Sequence, residues 1–427
     1  MKGENQLKSN MQITFKKVIE YISLMSISIS VFFGFFLSVS INNIDLPLLL
    51  NKIPIINNID LPEIPYPIIQ SEIIEFNYVD FNNSIVSMRQ QGLYYYNGLN
   101  QRLKNNFDLM YYGVENFQNK IKFSEPLTVS EFEKLVYILQ FDCPTIFHLD
   151  LKYNYDIKQG YVVAFYPEYK LSKTEYDKKL LMVEQLSNKI IENIKNMTTL
   201  EAEIYLHDYI LTNTVYDLES KDNDSIYGCL INNKANCKGY TSTFNYLLRK
   251  AGITSTSIIG EIYNSSGQTT GHSWNLVEIN NEFLYVDICW NDIAPSQEYN
   301  DIEYHYAFFN MTYKEMLNNR NISKQLKYLG EIPKTNYTEI SYYKQKGLYA
   351  NNYSEAENII KNNLPIVLSS QEKYFVIQCK NEETYNQLIN NVTDIIKELI
   401  QDEIITISSC KYSKIDSGYT LIIHNFS

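Results

Sequence analysis

Apolar positions along the chain change period several times, and each change predicts an element. Between Ser130 and Gln140, the residues Phe132, Leu135, Val136 and Leu139 recur at helical spacing. Leu151–Ile157 and Tyr161–Tyr169 alternate well enough to predict two strands joined by Lys158-Gln159-Gly160. A charged helix follows from Thr174 to about Asn196. Thr198-Thr199-Leu200-Glu201 then has the spacing of a capping box, which predicts another helix through about Asp217 and a polar loop over 218–225.

The pattern sharpens after Cys237. Tyr240, Phe244, Leu247, Leu248 and Ala251 fall on one face of a helix that Gly252 ends, which places Cys237 at or just before its first turn. Ile253–Ile262 is β-branched and predicts a strand, followed by a polar loop over Tyr263–Gly271. His272–Ile279 and Glu282–Trp290 predict two more strands, with Asn280-Asn281 between them. If those two asparagines form a two-residue hairpin turn, Asp287 faces Trp274, and His272 lies two residues along on the same side. Diagonal neighbours of that kind are about 7–8 Å apart, close enough for side chains to meet. The tail predicts helix Ser354–Asn363, strand Tyr374–Cys379, helix Glu382–Ile400 and a strand pair between Ile404 and His424.

The N-terminus has a different pattern. Tyr21 to Ile41 is an uncharged run of 21 residues, the length that spans a bilayer core. Lys8, Lys16 and Lys17 precede it and no basic residue follows until Lys52, so the start of the chain is expected to stay cytoplasmic and the rest to be exported. The length favours a signal-anchor over a leader cleaved near Ser38-Val39-Ser40. No cysteine directly follows, so a lipid anchor is not expected. Beyond it, INNIDLP occurs at Ile41–Pro47 and again at Ile56–Pro62. Prolines at 47, 54, 62, 65 and 67 favour an extended stalk.

Composition narrows the class. The chain has 427 residues, 45% of them hydrophobic, which excludes global disorder and allows two or three domains. Its net charge of −12 and lack of a basic stripe argue against nucleic acid. Six cysteines are too few for a disulfide scaffold. Cys229, Cys237, His272 and Cys289 lack zinc-ligand spacing, and neither an EF-hand loop nor a Gly-rich phosphate loop is present. Neither a metal nor a cofactor is therefore expected.

Cys237, His272 and Asp287 carry the chemistry. A helix N-terminus lowers a thiol's pKa, and its N–H groups can stabilise an oxyanion. An imidazole can take and return the proton, and a carboxylate can fix the imidazole tautomer. Asp287 is the sharpest sign, because a carboxylate in the apolar strand FLYVDICW needs a partner. Tyr227 and Trp274 are candidates for the oxyanion site or substrate contact, against simple packing. His207 and His305 are expected to be structural, and His148 and His424 have no constellation around them.

NCKGYTSTFNYLLRKAGI, GHSWNLVEINNEFLYVDICWND and the upstream LHDYILTNTVYD resemble the transglutaminase-like superfamily of cysteine acyl-transfer enzymes. Bacterial members commonly read C-x-G-x-(S/T), H-x-W-N and V-D-x-x-W in that order. The likeness covers roughly residues 200–310, and DCPTIFHLD at 142–150 adds a softer match. The family pattern does not require Cys289 or Cys229. The resemblance implies Cys237 as nucleophile, His272 as general base and acid, and Asp287 as the orienting residue. It also implies a papain-like α+β core, with a helix carrying the cysteine on an antiparallel sheet. The expected organisation is then a cytoplasmic basic segment (1–17), a transmembrane signal-anchor (18–41) and a stalk (42–72). An N-terminal α+β region (73–197), a transglutaminase-like catalytic domain (198–330), a linker (331–353) and a small α/β domain (354–427) follow. The expected function is a cell-surface enzyme acting on amide or peptide bonds of a protein or peptide substrate through a thioester. The alternative is a non-catalytic module binding wall polymer or surface protein.

Overall fold

The computed structural model describes residues 81–86, 92–263, 269–292, 306–327, 329–336, 339–370 and 372–427. The basic segment, the expected anchor, the stalk and His305 lie outside the described residues. Among the described residues, no helix is long and apolar enough to cross a membrane.

The N-terminal region contains α1 (Gln101–Glu115), β1 (Ile121–Leu127), α2 (Val129–Phe141), β2 (Leu149–Lys158) and β3 (Tyr161–Tyr169). β3 is the middle of an antiparallel sheet ordered β1-β3-β2. α2 matches the apolar period and starts on a reciprocal capping box between Thr128 and Glu131. Gln159 and Gly160 both have positive φ, the turn that suits the right-handed twist of the flanking strands.

Helices α3 (Lys173–Glu192) and α4 (Thr199–Asn213) also start on capping boxes, at Ser172/Glu175 and Thr198/Glu201. α4 stops short of the expected Asp217, because Val215–Tyr216 (β4) pairs in parallel with Lys234–Ala235 (β5). The short helix α5 (Ile226–Leu230) and the longer α6 (Cys237–Lys250) follow. α6 ends where expected, with Gly252 at φ +80°, a conformation that suits glycine.

β6 (Ser255–Tyr263), β7 (Thr269–Ile279), β8 (Glu282–Val286) and β9 (Arg320–Ile322) form an antiparallel sheet ordered β8-β7-β6-β9. Asn280 and Asn281 make the hairpin turn with φ of 54° and 64°. Ile279 pairs with Glu282 and Asn275 with Val286, the register expected from the sequence. The strand expected to run to Trp290 ends at Val286. Asp287 instead caps the helical turn α7 (Ile288–Asn291), and its Oδ1 accepts the Trp290 N–H at 3.1 Å. A turn of backbone N–H groups satisfies the enclosed carboxylate where a ladder would not.

β7 serves two cores. Trp274 and Leu276 pack into a cluster shared with α1, α2 and the N-terminal sheet. Val277 and Ile279 pack on the other face with apolar residues of α3, α4 and α6. This sheet is therefore sandwiched between α6 and the N-terminal region, which places the strand carrying His272 in rigid surroundings.

The C-terminal unit comprises β10 (Tyr349–Ala350), α8 (Tyr353–Ser369), β11 (Tyr374–Cys379), α9 (Glu382–Gln401), β12 (Lys411–Ile415) and β13 (Thr420–His424). Its sheet order is β10-β11-β13-β12, and the expected linker supplies β10. α8 runs past Pro365, beyond the expected end at Asn363. Leu364 and the partly buried Val367 and Leu368 hold that turn in the core cluster despite the missing N–H.

Candidate active site

α6 begins at Cys237 for a local reason. The Asn236 side chain accepts the Gly239 N–H at 3.1 Å, and the Asn236 N–H is tied to the Asn223 carbonyl at 2.9 Å. Gly239 is needed here, since a Cβ would fall 2.2 Å from the Asn223 carbonyl oxygen. The N–H groups of Cys237 and Lys238 have no acceptor among the described residues. They are free to face an oxyanion.

The Cys237 residue is partly open to solvent, whereas His272 and Asp287 are buried. His272 Nε2 lies 2.8 Å from Asp287 Oδ2, which leaves Nδ1 for the thiol. The thiol is hydrogen-bonded to the imidazole and to the hydroxyl and N–H of Ser273. Burial alone would raise the Cys237 pKa, but the His272 hydrogen bond and charge, with the Ser273 donors, bring it below its ordinary value. Burial alone would also make His272 less basic. The charge and hydrogen bond of Asp287, helped by Cys237, outweigh this and raise the imidazole to about 9. Asp287 meets the same burial penalty and is pulled down to about 2, first by the imidazolium and then by Arg320. The three sequence candidates therefore meet in one site, where the imidazole makes the thiol more acidic and the carboxylate makes the imidazole more basic.

Sequence reasoning missed three neighbours. Ser273 is positioned by Thr241 on α6, whose Oγ1 lies 3.1 Å from the Ser273 carbonyl oxygen and 3.2 Å from its hydroxyl. Its signal was its place beside His272. Arg320 donates to Asp287 Oδ2 from Nε at 3.1 Å and from Nη2 at 2.6 Å. A single arginine in a polar stretch gives no sequence signal. Tyr216 stands near the thiols. Burial first, and then the charges of Cys289 and Cys237, raise the pKa of its phenol. Its signal lay unused in the TVYD run.

The two weaker candidates are placed elsewhere. The Tyr227 ring on α5 lies under the Lys179 ammonium, 4.7 Å from the nitrogen, and packs in the helical cluster. Trp274 is fully enclosed in the core, 6.1 Å from the His272 ring centroid. Burial removes it from substrate contact, which corrects that expectation. The Cys289 thiol is buried and held protonated by burial and then by the Cys237 charge. His207, as expected, is structural. Its Nδ1 meets Asp208 at 2.9 Å, and its Nε2 meets the Asn291 amide at 3.0 Å. Asn291 in turn accepts the Phe308 N–H, which fixes the segment after Asp287. His148 stacks on Phe117 and meets the Val114 carbonyl at 3.0 Å. His424 pairs with the Ser413 hydroxyl at 2.8 Å.

A thiol at a helix N-terminus, facing an imidazole on an antiparallel sheet, defines an α+β core of the papain-like type. Residues 184–288 match the family described as the transglutaminase-like superfamily, and the chain therefore carries a transglutaminase-like core. No curated protein matches the chain. Similar solved structures include a candidate cysteine protease from Cytophaga hutchinsonii, at 12% identity and TM-score 0.22, covering 30% of this chain and 51% of that one. A protein described as a TGase is 13% identical with TM-score 0.24, over 43% of this chain and 54% of its own. The periplasmic domain of TgpA from Pseudomonas aeruginosa, bound to ethylmercury, is 13% identical with TM-score 0.21, over 31% and 60%. The chain thus spans between half and three-fifths of these structures.

Proposed function

We propose that this protein is a cysteine-nucleophile enzyme that opens amide bonds of a protein or peptide through a thioester. The observation that carries the reading is the Cys237 thiol at the start of α6, hydrogen-bonded to His272, which is itself held by Asp287. The thiolate attacks the carbonyl carbon, and the oxyanion meets the free N–H groups of the first helical turn. His272 gives its proton to the leaving amine as the C–N bond breaks. The thioester is then attacked by water, or by a second amine, with His272 taking the proton and the thiolate leaving. Hydrolysis is the preferred outcome, since nothing in the sequence clearly builds an amine site. The uncharged run Tyr21–Ile41, with lysines before it, supports a membrane-tethered enzyme whose body faces the exterior.

The test is alkylation of the full chain by iodoacetamide across pH, with Cys237 read by peptide mass spectrometry. Cys237→Ala, His272→Ala and Cys289→Ala are run beside it. Labelling of Cys237 well below the free-thiol pKa of about 8.5, slowed by loss of His272 and indifferent to Cys289, supports the enzyme. Product analysis with a peptide, in the presence and absence of a fluorescent primary amine, then separates hydrolysis from cross-linking. Labelling no faster than that of a free thiol overturns the reading in favour of a binding module.

A further inference from the structure

The electrostatics of the site extend beyond the matched segment 184–288. Arg320 comes from β9, which lies on the edge of the catalytic sheet against β6. The seat is close: a Cβ on Gly260 would fall 1.8 Å from the Asn321 carbonyl oxygen and 2.7 Å from the Trp274 ring. The Arg320 side chain is fully enclosed, as is that of Asp287. Its guanidinium lies 4.6 Å from the centroids of both the Trp290 and Phe308 rings, and Asn319 Oδ1 takes a further N–H. Its Nε and Nη2 converge on Asp287 Oδ2, the oxygen that His272 engages.

During turnover the imidazole must alternate between charged and neutral forms. While it is neutral, an enclosed carboxylate beside it has no opposite charge unless another residue supplies one. From this arrangement we infer that Arg320 is a fourth functional member of the site, a positioning residue that gives Asp287 a permanent counter-charge and so lets His272 release its proton to the leaving amine. Without it, the Asp287 charge binds the proton on His272 more tightly, and the general acid becomes reluctant. The other titratable groups around the pair are Tyr216 on β4, Lys238 on α6, Cys289 on α7 and Asp292 beyond it. Cys289 and Tyr216 stay in their neutral forms. Lys238 lies 3.4 Å from Asp224, and Asp292 accepts the Tyr240 hydroxyl. Arg320 is the cation that shares the Asp287 oxygen with His272.

The inference rests on the acyl-transfer reading for its purpose, but its test does not. The full chain, labelled with carbon-13 at histidine Cε1 and held in detergent micelles, is titrated by NMR. Five histidines give few signals, and His272→Gln assigns the one in question. Arg320→Met and Arg320→Gln are expected to move the His272 midpoint upward by about one pH unit, the scale of removing a unit charge several Å away. Arg320→Lys keeps the cation and is expected to restore the wild-type midpoint. If Arg320→Met fails to fold, the contrast between Gln and Lys decides. A fall toward the ordinary imidazole range means that Arg320 only holds Asp287 in place, and it overturns the counter-charge role. No movement in either neutral variant, or a Lys variant that behaves like Gln, overturns it too. Failed alkylation of Cys237 would remove the enzyme reading and leave this titration fully interpretable.

Discussion

Arg249, in the last turn of the helix that begins at Cys237, donates to both the carbonyl and the carboxylate of Asp142, which lies 107 residues earlier in the chain. Both residues are buried. Asp142 also accepts the Tyr95 N–H at 3.1 Å and the Thr256 hydroxyl at 2.8 Å. One carboxylate thus ties the N-terminal region to the far end of α6 and to the start of β6. Asp142→Ala leaves the guanidinium enclosed without its partner, and is expected to destabilise the fold by ~3–5 kcal/mol. The urea unfolding midpoint checks this. A loss below about 1 kcal/mol, the scale of an exposed pair, would remove the clamp.

The His272 contact predicts the behaviour of the thiol. Burial raises the Cys237 pKa, while the imidazole and Ser273 lower it by more. His272→Ala is therefore expected to leave burial dominant, with alkylation at pH 7 at least about tenfold slower, a one-unit rise of the thiol. Ser273→Ala keeps the N–H and should give a smaller shift in the same direction. An unchanged rate in the His272 variant would mean that the thiol is not paired.

Glu203 on α4 predicts an alkaline weakness. It is buried, with Oε2 accepting from the Asn310 amide at 2.9 Å, while its own Oε1 and Asn310 Oδ1 have no partner among the described residues. Burial pushes the carboxyl up to about 8, opposed by the Asn310 hydrogen bond. The folded state thus holds a proton that the unfolded chain gives up near the ordinary glutamate value of about 4.3. This group's contribution is full below that value and is lost as pH rises through about 8. Glu203→Gln should leave the Tm near pH 4 unchanged and raise it progressively toward pH 8. Parallel Tm profiles for the two proteins would contradict this.

Gly260 predicts the dependence of the site on β9. A side chain there meets the Asn321 carbonyl and Trp274, neither of which can yield cheaply. Gly260→Ala is expected to destabilise by ~1–3 kcal/mol as an overpacked site, and to disturb the seat of Arg320. Thermal melts measure the first effect, and the NMR titration of His272 measures the second. A variant with wild-type values in both would show that β9 can be displaced without consequence.

Much of this protein was legible from local pattern. The helix start at Cys237, its end at Gly252 and the turn at Asn280-Asn281 each depend on a few adjacent residues. A capping side chain, a left-handed glycine or a period-2 alternation acts within one turn or one hairpin. The register followed from the turn, and it brought His272 and Asp287 together before any tertiary contact was known. The expected strand through Trp290 failed because an enclosed carboxylate is better satisfied by the N–H groups of a helical turn. Trp274 reads more readily as a sheet-packing ring than as a substrate contact, and burial decides between the two.

The sequence by itself brought Cys237, His272 and Asp287 into one neighbourhood, because they lie within 51 consecutive residues and their spacing follows from one helix and one hairpin. The tertiary structure alone decided that Arg320 completes the site, that Asp142 clamps Arg249 and that Glu203 is enclosed. Those pairings join segments with no shared period, and they exist only because two cores close on opposite faces of one sheet. A charge in a polar stretch looks solvated until packing removes the water. Once the water is gone, the same charge must find its partner, and the fold supplies it.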